Sequence, residues 1–507
     1  MQSLNEKNVS FLPETFQIPK YNRNTLSPGL VHLGCGAFHR THLMDFHEDT
    51  LEHQRGDWGV IGVNLRSPDI DSIFNPQGGL YCRQLRHGNE CQTRLIGGLL
   101  KTISVLNTNE KIRRQTIQKA LQVTSSKNIK VITMTVTEKG YCHAPSTGML
   151  QENHPDVAHD IIHPNLPRSV PGFVLEVIKR CIKLNHKAPA FISCDNVPRN
   201  GQTLKDCVLK LAEQVCPNLL QFIDDEVIFL STMVDRIVPA TRKQDIVQFQ
   251  SMTNLIDSGL VVGEPYRMWV IEKDERAHLP DWSASGAIIT TNVHDYELIK
   301  MRVVNGMQTA LAHLGHLSNF IYMSDVFSNE IYREFGRTLI TKEVLPNLPK
   351  NTSIKLNDYV DETVDRLINP AIGHRTAQIS SDGSQKIRHR LIDPLHEAIK
   401  TGLPYYGLTI ALSAWIYHIF KLSKDKDQKE ISDPFLKTTI KIRNKSKNDL
   451  AIFIDKLLEE HIIFPVWINE IPNLKKEVYL IAKEIQNNQI QRILKNYLSQ
   501  SKKYYLV

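Results

Sequence analysis

The sequence predicts an α/β protein: a doubly wound parallel sheet at the N-terminus, followed by a mainly α-helical C-terminal domain. Two observations lead there. Through roughly the first 290 residues, short apolar runs alternate with stretches of helical periodicity, the pattern of strand and crossover helix. Beyond about Thr290 the runs stop, and apolar residues recur at helical spacing to the end. A chain of 507 residues exceeds one ordinary core, so two or more domains are expected. The composition changes near residues 285–290, which sets the expected domains at 1–287 and 288–507.

The first predicted strand, residues 29–33, stops at Gly34-Cys35-Gly36, and residues 38–53 then read as a helix. Strand, glycine turn and helix make the unit Rossmann-like. Residues 58–65, 129–136 and 188–194 supply three more strands, and residues 110–123, 174–184 and 204–215 supply helices. In the second domain, residues 405–420, 450–462 and 478–498 are the clearest helices, and residues 421–429 are expected to form an exposed loop.

Composition narrows the function. Hydrophobic residues make up 41% and charged residues 23%, as in a globular protein. The net charge of +7 comes largely from the last quarter, around residues 421–447 and Lys502-Lys503. No aromatic platforms or binding motif accompany that basic excess, so nucleic acid is not an expected partner. The eight cysteines contain no C-x-x-C pair, and residues 1–20 lack a signal peptide's apolar core. A reducing, cytoplasmic setting is therefore expected. No apolar stretch has the length to span a bilayer.

Gly34 and Gly36 let the backbone turn tightly and approach a pyrophosphate, with Ala37 and Phe38 opening a helix whose free N–H groups face an anion. His39 stands where a third glycine is usual. After the second strand, Asp69 is placed to accept hydrogen bonds from an adenosine ribose and select NAD. Arg66 could instead receive a 2′-phosphate, and Asp69 could simply cap the helix after Pro68.

Residues 297–308 place Glu297, Lys300, Asn305 and Gln308 on one broad helix face. A lysine packed among apolar neighbours loses solvation of its charged form and becomes a general acid or base, and amides beside it hold a carbonyl or alkoxide oxygen. The same spacing also fits a solvated helix face. Further polar clusters interrupt apolar segments at residues 135–141, 193–196, 233–236 and 263–266, as strand-end residues do when they line a crevice. His39, His42, His47 and His53 lack the H-x-x-x-H spacing of a zinc helix and read as surface or phosphate-facing residues, so no metal is expected. There is neither a G-x-S-x-G elbow nor a P-loop lysine.

Together, the segments at residues 32–40, 135–141, 193–196, 229–239, 263–272, 300–305 and 381–386 resemble the long-chain polyol dehydrogenase family, which includes mannitol 2-dehydrogenases and fructuronate reductases. The resemblance implies a metal-free reaction in which a nicotinamide cofactor, NAD here, reduces a ketose or ketouronate. It makes Lys300 the catalytic acid/base, with Asn196 and Asn305 polarising the reacting oxygen. It also places Glu297 on a proton path, and Asp235, Gln308 and Lys386 near the substrate. Gln308 departs from the family's histidine and cannot take up charge. Arg375 and the basic run 386–390 are candidates to hold a substrate carboxylate. The implied partner is thus a small sugar polyol or sugar acid, and the implied assembly a monomer or small homo-oligomer. Mannitol and fructose are the favoured pair. Fructuronate and mannonate are the alternative, and a cofactor-binding protein with weakened catalysis is a third reading.

Overall fold

The computed structural model describes residues 2–54, 56–144, 148–424 and 431–503, with the side chains of Lys502 and Lys503 excepted. Most of the loop expected at 421–429 lies outside the described residues. The chain divides into two compact units, Met1–His294 and Asp295–Val507. No described helix is long and apolar enough to cross a membrane.

Unit 1 is organised by six strands: β1 (Pro28–Leu33), β2 (Gly59–Asn64), β3 (Leu99–Ser104), β4 (Val131–Met134), β5 (Ala190–Ser193) and β6 (Phe229–Leu230). Their order is β3-β2-β1-β4-β5-β6, and every pairing is parallel. The order reverses between β1 and β4, and the crevice beyond the carboxyl ends of these strands is where such a sheet binds ligands. Burial on both faces explains the unbroken apolar runs: Val31, Leu33, Val63, Ile132, Met134 and Phe191 are buried in one cluster, and Leu30, Val60, Val131 and Ile192 of the same strands in another.

Four of these strands were legible as apolar runs. β3 was not, because Lys101 and Thr102 interrupt its apolar run, and β6 has only two residues. The helix expected at 174–184 begins earlier, at Val170, because Ser169 accepts the Gly172 N–H at 3.0 Å and Pro171 fits the first turn. The hairpin Tyr81–His87 with Glu90–Ile96, and its parallel partner Val261–Gly263, also escaped the sequence pattern.

Polar chemistry at Asp45 ties these layers together. Asp45 lies on the helix Met44–His53, which follows the glycine turn. Its carboxylate accepts from Arg83, from Arg236 Nη1 at 3.0 Å and from Arg267 Nη1 at 3.2 Å, while Arg94 Nη1 lies 3.7 Å away. Burial alone would push the Asp45 carboxyl up, yet the surrounding guanidinium groups hold it below the usual carboxylate range. Arg83 comes from the hairpin and Arg236 follows the strand Thr232–Asp235. One carboxylate thus fixes the helix after the glycine turn to two other elements.

His39, His42 and His47 are core residues rather than the surface or phosphate-facing groups expected, and only His53 is exposed. His39 stacks on His32 at 3.5 Å between ring centroids. Trp282 Nε1 donates to His47 Nδ1 at 3.2 Å, so His47 Nε2 carries the proton and donates to the Trp58 carbonyl at 2.7 Å. Burial lowers the pKa of all three imidazoles, which are therefore neutral aromatic packing groups.

Unit 2 is helical. The apolar helix Tyr406–Leu422 packs on Gly306–Leu317. The free N–H groups of Gly407 and Leu408 at its start donate to the buried Glu343 carboxylate, each at 2.8 Å, and Tyr497 Oη donates to the same group at 2.9 Å.

Asp45→Ala leaves buried guanidinium groups uncompensated and is expected to lower stability by about 3–5 kcal/mol in urea unfolding. Because the folded pKa of Asp45 is depressed, its contribution is present above the ordinary carboxylate pKa of about 4 and lost as pH falls through the lower folded value. The native protein should therefore lose stability more steeply with acid below about pH 4 than Asp45→Ala does.

Candidate active site

Unit 1 carries Gly34, Gly36, Ala37, Phe38, Asp69, Asn196 and Asp235; unit 2 carries Glu297, Lys300, Asn305, Gln308, Arg375 and Lys386.

The glycine turn leaves β1 at the switch in strand order. Gly34 has φ +91°, and a Cβ there would lie 2.2 Å from the Thr135 carbonyl oxygen, so only glycine fits between β1 and the end of β4. At Gly36 a Cβ would meet only the Gly34 oxygen, at 3.9 Å. The first glycine thus serves packing and the second keeps space open beside the helix start, as a pyrophosphate requires. The chain continues through Ala37 and Phe38 into the π-helical turn His39–Leu43. Stacking on His32 explains how histidine replaces the third glycine: the close packing of helix on strand is made by two flat rings.

The ends of β4 and β5 are joined by Asp195, which sequence reasoning grouped with its neighbours but gave no role. Its carboxylate accepts from the N–H groups of Val136 at 3.1 Å and Thr137 at 2.7 Å and from Tyr141 Oη at 2.9 Å. Burial pushes the carboxyl up to about 6 against those donors. Thr137 is held at φ +64°, a sparsely populated conformation for threonine that calls for this support. Asn196, the next residue, is exposed, whereas Asp235 is buried at the end of its strand. Asn200 Nδ2 donates to the carbonyls of Asp195 and Thr232, at 2.8 and 2.9 Å, and so ties the two segments.

Asp69 is exposed at the start of the helix Ile70–Phe74, and its side chain makes no capping hydrogen bond. Arg66 Nη2 donates to Asp156 Oδ2 at 2.8 Å and faces Cys142 Sγ at 3.8 Å. Cys142, His154 and Asp156 bring ligand atoms within 4.8 Å of one another, and the Arg66 cation meets two of the three. A cavity of about 780 Å³ opens at the amino ends of β4 and β5, lined by Lys130 and Ala190, so its size does not mark the chemistry.

The helix Val293–Lys300, whose first two residues close unit 1, passes into a π-helical turn, Met301–Asn305, and then into Gly306–Leu317. An i→i+5 turn rotates each residue by less than the about 100° of an α-helix, which brings Asn305 closer to the azimuth of Lys300 than α-helical spacing does. Lys300, Asn305 and Gln308 are all buried, which excludes a solvated helix face, and Glu297 is half-buried. The Asn305 amide approaches Met301 Sδ at 3.4 Å.

The 383–392 segment lies along this helix. A Cβ on Gly306 would sit 3.3 Å from the Arg390 carbonyl oxygen, and Arg390 Nη1 donates to Thr309 Oγ1 at 3.0 Å. Lys386 Nζ donates to the carbonyls of Ser381 at 2.5 Å and Ile379 at 3.3 Å. Arg375 is exposed and lines a separate cavity of about 210 Å³ with His316, Asn319 and Lys421. His316 lies eight residues beyond Gln308, about 12 Å along the helix.

A glycine turn at the switch point of a doubly wound sheet, followed by a helical unit with a buried lysine beside amides, is the layout of a two-domain dehydrogenase. The family models for the mannitol dehydrogenase Rossmann domain and C-terminal domain match residues 28–284 and 292–500. The chain is 34% identical to the uncharacterized oxidoreductase YdfI of Escherichia coli, over 83% of this chain and 85% of that one. It is 32% identical to the D-mannonate oxidoreductase of the same organism, over 82% and 85%. Among solved structures, a ternary complex of Pseudomonas fluorescens mannitol 2-dehydrogenase with NAD and D-mannitol is similar with a TM-score of 0.87, at 26% identity over 98% of this chain and all of that one. The chain belongs to the mannitol dehydrogenase family of oxidoreductases, which act on CH–OH groups.

The two glycines should respond differently to the same methyl group. Gly34→Ala is expected to cost about 2–4 kcal/mol through its positive φ and the Thr135 contact, while Gly36→Ala should stay within about 1 kcal/mol of the native protein. Denaturant titration of the two variants checks this, and equal losses would contradict the division of roles.

Proposed function

We propose that this protein is an NAD-dependent polyol dehydrogenase that interconverts a sugar polyol and its ketose, with mannitol and fructose as the pair. The observation that carries the choice of substrate is the company Lys300 keeps. Its helix offers neutral amides, Asn305 and Gln308, suited to hydroxyl groups. The cations around that helix are engaged by protein acceptors: Arg302 by Glu397, Arg390 by Thr309, Arg388 by Asp393, and Lys386 by two carbonyls.

The open space beside Gly36 fits the approach of a pyrophosphate, and Asp69 offers its carboxylate to an adenosine ribose. When bound, NADH supplies the hydride for reduction and NAD takes it up in oxidation. In reduction the Lys300 ammonium gives its proton to the ketone oxygen as the carbon gains hydride, and in oxidation the neutral amine takes the hydroxyl proton back. Asn305 donates a hydrogen bond to the same oxygen and stabilises its developing charge. Gln308 holds a neighbouring substrate hydroxyl.

Reduction of fructuronate to mannonate is the second reading. It is favoured by the relative named D-mannonate oxidoreductase. NADH oxidation followed with fructose and with fructuronate separates the two: a higher kcat/KM on fructose supports the first reading, and a higher value on fructuronate replaces it with the second.

Lys300→Ala is expected to lower turnover by about 10²-fold or more with NADH binding intact, since proton transfer supplies that order of acceleration. Gln308→His should keep turnover and chiefly change KM. A native protein inert towards both sugars but active as Gln308→His would mark a scaffold whose catalysis had decayed.

A further inference from the structure

The glycine turn and Asp69 account for one side of a dinucleotide site and leave Arg66 unexplained. Arg66 stands two residues past the end of β2, where a doubly wound nucleotide fold meets the adenosine ribose, and an arginine at this place ordinarily welcomes a 2′-phosphate. Here its guanidinium is turned to Asp156, with Nη2 2.8 Å from Oδ2. Asp156 comes from another part of the chain, the first turn of the helix Pro155–Ile162, where the helix dipole favours a carboxylate. Its backbone N–H donates to His154 Nδ1 at 3.2 Å, which pins the start of that helix. Cys142 Sγ lies 3.8 Å from the same Nη2, beside the Asp156 carboxylate.

We propose that Asp156 is a specificity-determining residue: by holding and neutralising Arg66, it makes this site refuse the 2′-phosphate of NADP. The inference rests on the reading of the glycine turn as a nicotinamide dinucleotide site. Arg66, Asp69 and Asp156 together carry a net charge of −1, which repels a phosphate. Without Asp156 the sum is zero, and a guanidinium able to pair bidentately with phosphate is released. The side chains of Arg66 and Asp156 are 47% and 29% exposed, so the pair adds little to stability and its loss should spare the fold. An exposed ion pair of small energetic value still decides which ligand charge is tolerated beside it.

The test is a fluorescence titration of NADH and NADPH against the purified native protein and the variants Asp156→Ala, Asp156→Glu and Arg66→Ala/Asp156→Ala, each first checked for a native melting transition. Asp156→Ala should bind NADPH at least tenfold more tightly than the native protein does, with NADH affinity changed less than twofold. Asp156→Glu, which can still reach Arg66, should discriminate as the native protein does. The double variant should lose the gain, because the guanidinium that receives the phosphate is gone. If the native protein binds NADH and Asp156→Ala leaves NADPH affinity unchanged, the proposal is overturned. The same holds if the double variant keeps the full gain. A native protein that binds neither dinucleotide would overturn the cofactor reading itself, an outcome distinct from both.

Discussion

A single buried carboxylate, Asp45, carries much of unit 1. The helix after the glycine turn must sit at one height and rotation for its first turn to face a ligand, and Asp45 sets both by binding guanidinium groups from the hairpin and from the strand end that bears Asp235. The arrangement has a cost, because Arg83 Nε and Nη1 are buried without a hydrogen-bond partner among the described residues. Such a centre stabilises less than an apolar core of equal size would, and its value lies in direction: charge pairs fix an orientation that apolar packing leaves adjustable.

The same economy recurs at the strand ends. Asp195 holds two backbone N–H groups and the Tyr141 hydroxyl, and thereby keeps Thr137 in a conformation it would not otherwise adopt. Of the four π-helical turns among the described residues, one directly follows the glycine turn, one lies between Lys300 and Gly306, and one, Arg388–Ile392, continues the helix that carries Lys386; the fourth, Ile340–Val344, lies away from the candidate site residues. Such turns are rare and gather at functional positions, because the extra residue per turn re-aims side chains at the expense of regular hydrogen bonding.

Much of this was legible in the sequence. The run ending at Gly34 is a buried parallel strand followed by a turn whose first residue must be glycine, and both features are written in residue type. The Lys300 face was visible as a spacing, although the π-helical turn that tightens it was not, since periodicity assumes a uniform helix. The polar clusters at 135–141, 193–196 and 233–236 do fall at strand ends. What escaped was the work of groups whose partners lie far away in the chain: Asp45 with arginines 38 to 222 residues distant, and Arg66 with Asp156, 90 residues on. The histidines of the first helix misled for a related reason. An imidazole kept neutral by burial behaves as an aromatic ring, and nothing in its local sequence reveals the ring it will stack on.

In the proposed reaction hydride passes between a nicotinamide and a secondary carbon of an open-chain sugar, with the proton handled by the protein. The most direct measurement supplies the native protein with NADH deuterated at either face of C4 and with fructose or fructuronate, and examines the product by mass spectrometry. One of the two labelled cofactors should place a single deuterium on the carbon that bore the ketone, while the other leaves the product unlabelled. Product without deuterium from either cofactor, or deuterium at any other carbon, would contradict the account.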